Sequence, residues 1–276
     1  MKIKLIILLF ITISGSAFPW GAEGHKLIAG KAMGIIKDKI EFFGQYHDYI
    51  AEHSIDADKR KDIDKTEGMK HYIDIDFYDE FLNGKMITDK NQLVKIYGDS
   101  VVTKIGLLPW ATLQTFQKLT SAFREKDRDK ILILTADLAH YVADAHQPFH
   151  TLLNYNGQLT SQNGIHHRFE SIMVEKHLDE LNGLSYNPDI KFIEEPRNYI
   201  FNYISNSFSL SEVIFAADKF ASNRTGSTET DEYYRLLWLR TKYVCELQFK
   251  AAANSLASLI FTAWVDAGEP SISEIN

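Results

Sequence analysis

Hydrophobic positions open this chain with one short apolar run, LIILLFITI (residues 5–13). Lys2 and Lys4 precede it, and the small residues Ser14, Gly15, Ser16 and Ala17 follow. A basic start, an apolar core too short to span a bilayer and a small-residue end read as an export signal. The signal is assigned to residues 1–19, with cleavage after either Ala17 or Pro19, and the mature chain is expected to be secreted or periplasmic. Beyond it the apolar positions take a helical period. Leu27, Ile28, Ala32, Ile35 and Ile36 share one stripe, which places His25 near the start of an amphipathic helix. Residues 41–66 are polar and mixed in charge, carry little helical signal and read as a solvated face. KHYIDIDFYDEF, around His71, alternates apolar and polar residues as strands do. It is short and isolated among helical segments, so an extended loop is expected.

Helical periodicity returns from Lys90 to Phe123, broken near Gly106 and Pro109, and again from Lys126 to Ala145, with Ile131, Leu134, Leu138 and Tyr141 as its buried stripe. LLNYNGQLTSQNG (152–164) reads as a loop. Further helices are predicted over 164–181, 207–220 and 231–267. No internal repeat, low-complexity tract or dividing linker interrupts the pattern. Residues 20–276 are therefore read as one compact all-α, multi-helix domain.

Composition narrows this little. An apolar fraction of 45%, with 12% aromatics, supplies a core. A formal charge of −7 gives no electrostatic footprint for duplex DNA. It leaves phosphorylated substrates open, because bound metal ions bring their own positive charge. Cys245 is the only cysteine, so no internal disulfide forms. No second apolar run has spanning length, and the mature protein is expected to be a monomer without a membrane span.

The candidate chemistry lies in DLAHYVADAHQPFH (137–150). His140 and Asp144 are one helical turn apart and share a face, while Pro148 should end the helix and leave His150 on the exit turn. His166 and Glu170 repeat the spacing of four. One such pair alone reads as a surface hydrogen bond. Two pairs with a histidine between them point to zinc, which takes imidazole and carboxylate ligands. His146 lies six beyond His140 and points away from that face, which suits a packing role. His167, His47, His53 and His177 are assigned none. Tyr72, beside His71, suits either core packing or contact with a base or headgroup.

Four stretches in order, WGAEGH (20–25), an aspartate followed by KHYIDID, HYVADAHQPFH and GIHHRFES (164–171), resemble the superfamily of bacterial zinc-dependent phospholipases C and fungal and plant single-strand-specific nucleases. The resemblance covers about half the chain, Trp20 to Glu170, and implies three zinc ions. One would be held by Asp58, His71, His140 and Asp144. A second would take His25 and the free amine and carbonyl of Trp20, with Asp144 as the bridge. The third would take His150, His166 and Glu170. Asp56 competes with Asp58, which is preferred for its Ala57-Asp58-Lys59-Arg60-Lys61 context. The implied reaction is hydrolysis of a phosphate ester by a water that two ions acidify to hydroxide, with the third ion neutralising phosphoryl charge and Asp58 orienting the water.

Glu170 in the last ligand position resembles the phospholipase branch, whereas the nucleases usually carry Asp. The loop YNGQLTSQNG also lacks the nucleases' Gly-Gly-Asn stretch, and the cysteines of their eukaryotic members are absent. A phospholipase C-like phosphodiesterase acting on a lipid headgroup is therefore expected. Single-strand nuclease or 3'-nucleotidase activity on single-stranded nucleic acid is the alternative, and a non-catalytic zinc-binding exported protein a third reading. Cleavage after Ala17 would leave Phe18-Pro19 on the amine of Trp20. The intact mass of the exported protein distinguishes the two cases. A chain beginning at Trp20 carries the amine that the second ion needs, and one beginning at Phe18 is expected to hold that ion more weakly.

Overall fold

The computed structural model describes residues 20–271 and 275, so the segment read as an export signal lies outside the described residues. Every regular element among the described residues is helical. The helices that position the site are α1 (Gly21–Ile36), α2 (His47–His53), α3 (Asp56–Arg60), α4 (Leu108–Glu125), α5 (Arg128–Ala145), α6 (Pro196–Ser209), α7 (Ser211–Thr225) and α8 (Asp231–Asp266). At 36 residues, α8 runs for about 54 Å and lies against α1, α4, α5 and α7. Thr230 caps its start by accepting the Tyr233 amide at 3.1 Å, and Asp127 does the same for α5 through Lys130 at 3.1 Å.

One apolar cluster joins α1, α4, α5 and α8 through Met33, Ile36, Phe123, Leu138 and Leu256. A second surrounds Trp20, Phe149, Phe169 and Phe249. A third packs Ile73, Ile75 and Tyr78 against Tyr141 and Ile204. α5 runs through the middle, and every residue from Leu138 to Leu152 is buried. A helix end enclosed in this way must satisfy its polar groups inside the protein.

After residue 183 the chain crosses back along α8 as an extended strap. The amides of Asp189, Lys191 and Ile193 donate to Asn254 Oδ1 (2.9 Å), Ser258 Oγ (3.2 Å) and Thr262 Oγ1 (2.9 Å). Two extended residues advance about 6.6 Å and four helical residues about 6 Å, so every second strap amide meets every fourth helix side chain.

Several expectations change. Residues 41–66 are not helix-poor, for they form a turn at Phe42–Gln45, then α2 and α3. These elements are too short to show periodicity, and burial of Phe42, Phe43, Ile50 and Ala57 holds them instead. The region 164–181 is broken into Ile165–His167, a π-helical turn at Arg168–Met173, Val174–Lys176 and Leu178–Asn182. The helix expected over 207–220 is two helices, α6 and α7, and α6 begins at Pro196, a residue suited to a first turn. No helix among the described residues is long and apolar enough to cross a membrane.

The alternating stretch around His71 forms no strand, and it is not simply an extended loop either: short helical turns at Gly68–His71, Ile75–Phe77 and Asp79–Leu82 interrupt it, and backbone bonds hold it on both sides. Ile73 N–H donates to His150 O (2.9 Å), while Asp74 N–H donates to Ile105 O (2.8 Å) and Leu108 N–H to Tyr72 O (3.2 Å). Gly106 makes the second side possible. Its φ is +108°, and a Cβ there would sit 2.1 Å from the Tyr72 carbonyl oxygen. Gly106→Ala is expected to destabilise the fold by at least about 2 kcal/mol, as left-handed strain adds to a backbone clash. Urea unfolding of the two proteins measures the difference.

Candidate metal centre

His140 and Asp144 stand one turn apart on α5, with Nε2 3.3 Å from Oδ2 and both side chains fully buried. The end of α2 fixes the ring of His140, whose Nδ1–H donates to Ser54 O at 2.7 Å and leaves Nε2 facing Asp144. α1 brings His25 onto the same face. Its ring stacks on that of His140 at 4.2 Å and 8°, and its Nε2 lies 3.4 Å from Asp144 Oδ1. The stitched loop delivers His71, whose Nδ1 lies 2.9 Å from His140 Nε2, 3.0 Å from Asp144 Oδ2 and 3.5 Å from Asp58 Oδ1. Asp58 arrives from α3, buried, with Lys61 donating to Oδ1. Asp56 does not come to this place; it pairs with His53 (2.6 Å) and Lys59 (2.7 Å) near the surface.

A third group sits beyond the end of α5. His150 donates from Nδ1 to His71 O at 2.5 Å and turns Nε2 toward Glu170, 3.4 Å away. His166 Nε2 lies 2.9 Å from the same Glu170 oxygen, across the junction where the π-helical turn begins. π turns recur at functional sites because they re-aim one side chain.

Three sets of donor atoms result, each lying within 4.8 Å: His25, His140 and Asp144; Asp58, His71 and His140; and His150, His166 and Glu170. Ligands bound tetrahedrally at zinc distances lie about 3.3 Å apart, close to the 2.9–3.6 Å seen between neighbouring donors here. Of the eleven buried side-chain atoms with no hydrogen-bond partner among the described residues, eight belong to these sets. They are both nitrogens of His25, Asp58 Oδ2, Asp144 Oδ1, His150 Nε2, His166 Nε2, Glu170 Oε1 and, on the side of its ring away from the other donors, His71 Nε2. Leaving such groups unmet costs about 1–3 kcal/mol each, whereas cations satisfy a convergent imidazole and carboxylate set. The buried His/Asp/Glu clusters can therefore hold metal ions.

Electrostatics follows the same contacts. Burial pushes His140 down, but the Asp144 and Asp58 carboxylates outweigh it and raise the ring to about 9. His150 is likewise raised, Asp144 prevailing over burial. His25 is lowered by burial and by the neighbouring His140. Burial pushes Asp144 and Glu170 up, yet their histidines win, holding Asp144 well below the carboxylate range and Glu170 at about 2.

The remaining candidates fall outside the donor sets. Trp20 reaches the centre through its indole, which donates to Ala143 O at 2.9 Å and meets Phe249 edge-on at 4.8 Å. His146 donates from Nδ1 to Val142 O (2.7 Å) and stacks on Tyr203, and burial lowers it to about 4. His47, His53 and His177 pair with Asp48, Asp56 and Glu180, and His167 is exposed. Tyr72 donates its hydroxyl to Lys104 O at 3.0 Å. Two contributors escape a reading of the sequence. Gln147 donates to Glu170 at 2.7 Å and accepts the Phe149 amide at 2.7 Å, with no spacing signal to reveal it. Glu67 stands four before His71, the same spacing that marked the other pairs.

No model of a known protein family matches this chain, and no curated protein matches it.

Because the carboxylates hold His140 at about 9, a metal ion that His140 ligates must displace its proton. Zinc uptake at pH 7 is expected to release about one proton or more per molecule, declining as the pH rises through about 9. Calorimetry in two buffers of unlike ionisation enthalpy counts the release.

Proposed function

We propose that this chain is an exported zinc-dependent phosphodiesterase of the phospholipase C kind, with three ions as cofactor. The observation that carries the reading is the convergence of His, Asp and Glu donors on three neighbouring points, two of which share His140, with several of the donor atoms buried and without a hydrogen-bond partner among the described residues. Five segments deliver these donors: α1, α3, the His71 turn, α5 with its exit turn, and residues 165–173. The four sequence stretches that resemble the phospholipase C and nuclease superfamily, with Asp58 as the aspartate before KHYIDID, contain the nine residues assigned to it. Export rests on the pattern of residues 1–17.

When bound, zinc ions would supply Lewis acidity, an acidified water and charge neutralisation for a phosphate ester. The residues supply the geometry. His25, Asp58, His71, His140 and Asp144 would hold the closely spaced pair, and His150, His166 and Glu170 the more separate ion. Trp20 anchors the start of α1 through its buried indole and offers its amine when it is the first residue of the chain. Asp58 turns one carboxylate oxygen to Lys61 and keeps Oδ2 free of hydrogen bonds, which suits it to orient the attacking water. Asp144 lies between the sets and holds His25, His71 and His140 in register.

The test uses zinc-loaded protein beginning at Trp20, incubated separately with phosphatidylcholine vesicles and with single-stranded DNA. Phosphorylated headgroup release with intact DNA is expected; DNA cleavage without headgroup release would transfer the proposal to the nuclease branch. Asp58→Asn is expected to lower hydrolysis about 10²–10⁴-fold. Unchanged turnover by a variant that retains all its zinc would remove Asp58 from the active site.

A further inference from the structure

On the side of His71 away from the other ligands, a second set of groups converges on Glu67. Only 1% of its side chain is exposed, and four residues from three segments point at it. Lys70 Nζ donates at 2.6 Å, the Tyr141 hydroxyl donates to Oε1, Arg60 Nη2 lies at 3.5 Å, and His71 Nε2 lies 3.5 Å from Oε1. Arg60 is itself held by Asp137 at 2.8 Å, and Tyr141 is on α5, one residue after His140.

An imidazole ligates through a nitrogen that carries no proton, so the proton must sit on the other one and needs an acceptor. For His140 and His150 a backbone carbonyl is that acceptor, Ser54 O and His71 O. His71 turns Nδ1 toward Asp58, His140 and Asp144, and the acidic group on its Nε2 side is Glu67. We propose that Glu67 is a positioning residue for the paired metal site. It accepts the Nε2–H of His71 and so fixes Nδ1 as the ligand atom. Tyr141, Lys70 and Arg60 hold the carboxylate in place, so it cannot swing round to become a ligand itself. The inference rests on the metal reading above and adds to it a residue outside the donor sets.

The experiment is chelator competition on full-length mature wild type, Glu67→Gln and Glu67→Asp, with zinc counted by mass spectrometry and folding followed by circular dichroism. Glu67→Gln is expected to weaken the paired ions about 10–100-fold while the ion at His150, His166 and Glu170 keeps its wild-type affinity. Glu67→Asp keeps the buried charge among Lys70, Arg60 and Tyr141, so it is the variant that preserves the fold if Gln does not. It is expected to show a smaller loss at the same ions. A Glu67 that only stabilises the fold would lower the melting temperature and leave the affinities unchanged at every ion, which overturns the proposal. Wild-type protein that takes up no zinc would overturn the metal reading itself, a result separable from failure at Glu67 alone.

Discussion

Everything in this molecule answers to the burial of His140 and Asp144 on a helix enclosed on all sides. An imidazole and a carboxylate taken out of water in mid-core are unfavourable unless neighbouring groups compensate for the lost hydration. The protein does not dilute this with polar loops. It adds more donors, bringing His25, His71 and Asp58 to within a few ångströms of the same two side chains. Crowding of this sort destabilises a polar network that has nothing in common to bind. It becomes favourable where a cation is shared, because each donor then loses its repulsion and its unmet valence together.

The rest of the fold provides rigidity for that crowding. α8 supports α1 and α5 along one side, so the helices bearing His25 and His140 cannot move apart without breaking the packing of Phe249, Leu256 and Ile260. On the other side the His71 segment has only short helical turns, Gly68–His71 and Ile75–Phe77, too brief to stiffen it. Backbone bonds to the His150 turn and to the Gly106 turn hold it in place. Rigid helices and a stitched loop thus achieve the same end by different means. Donor atoms held within small fractions of an ångström discriminate between cations better than flexible ones.

Legibility from the sequence followed the range of the interactions. His140 with Asp144, and His166 with Glu170, were readable because one helical turn relates their positions, and α8 because its pattern is long. The choice of Asp58 over Asp56 leaned on local context; only the packing of α3 puts Asp58 among the histidines and Asp56 at the surface. Short helices in 41–66 were invisible because four to seven residues hold fewer than two turns, too few for a period to repeat, and their stability comes from contacts distant in sequence. The π-helical turn around Glu170 could not be seen for a related reason. It changes the hydrogen-bond register, while the residue pattern still reads as ordinary helix.

The second nitrogens of the histidines reveal how the donor sets are joined. His150 is oriented by the carbonyl of His71, so a ligand of the separate set takes its aim from the backbone of a ligand of the paired set. His71 in turn lies against Glu67, and Glu67 is held by Tyr141 on the helix that carries His140. A closed circuit therefore runs from α5 through Tyr141, Glu67, His71 and His150 back to the end of α5. Members of this circuit touch one another, so the energetic effects of changing neighbours within it should not add. The circuit links the separate set to the paired one through the His71 carbonyl rather than through a shared donor atom.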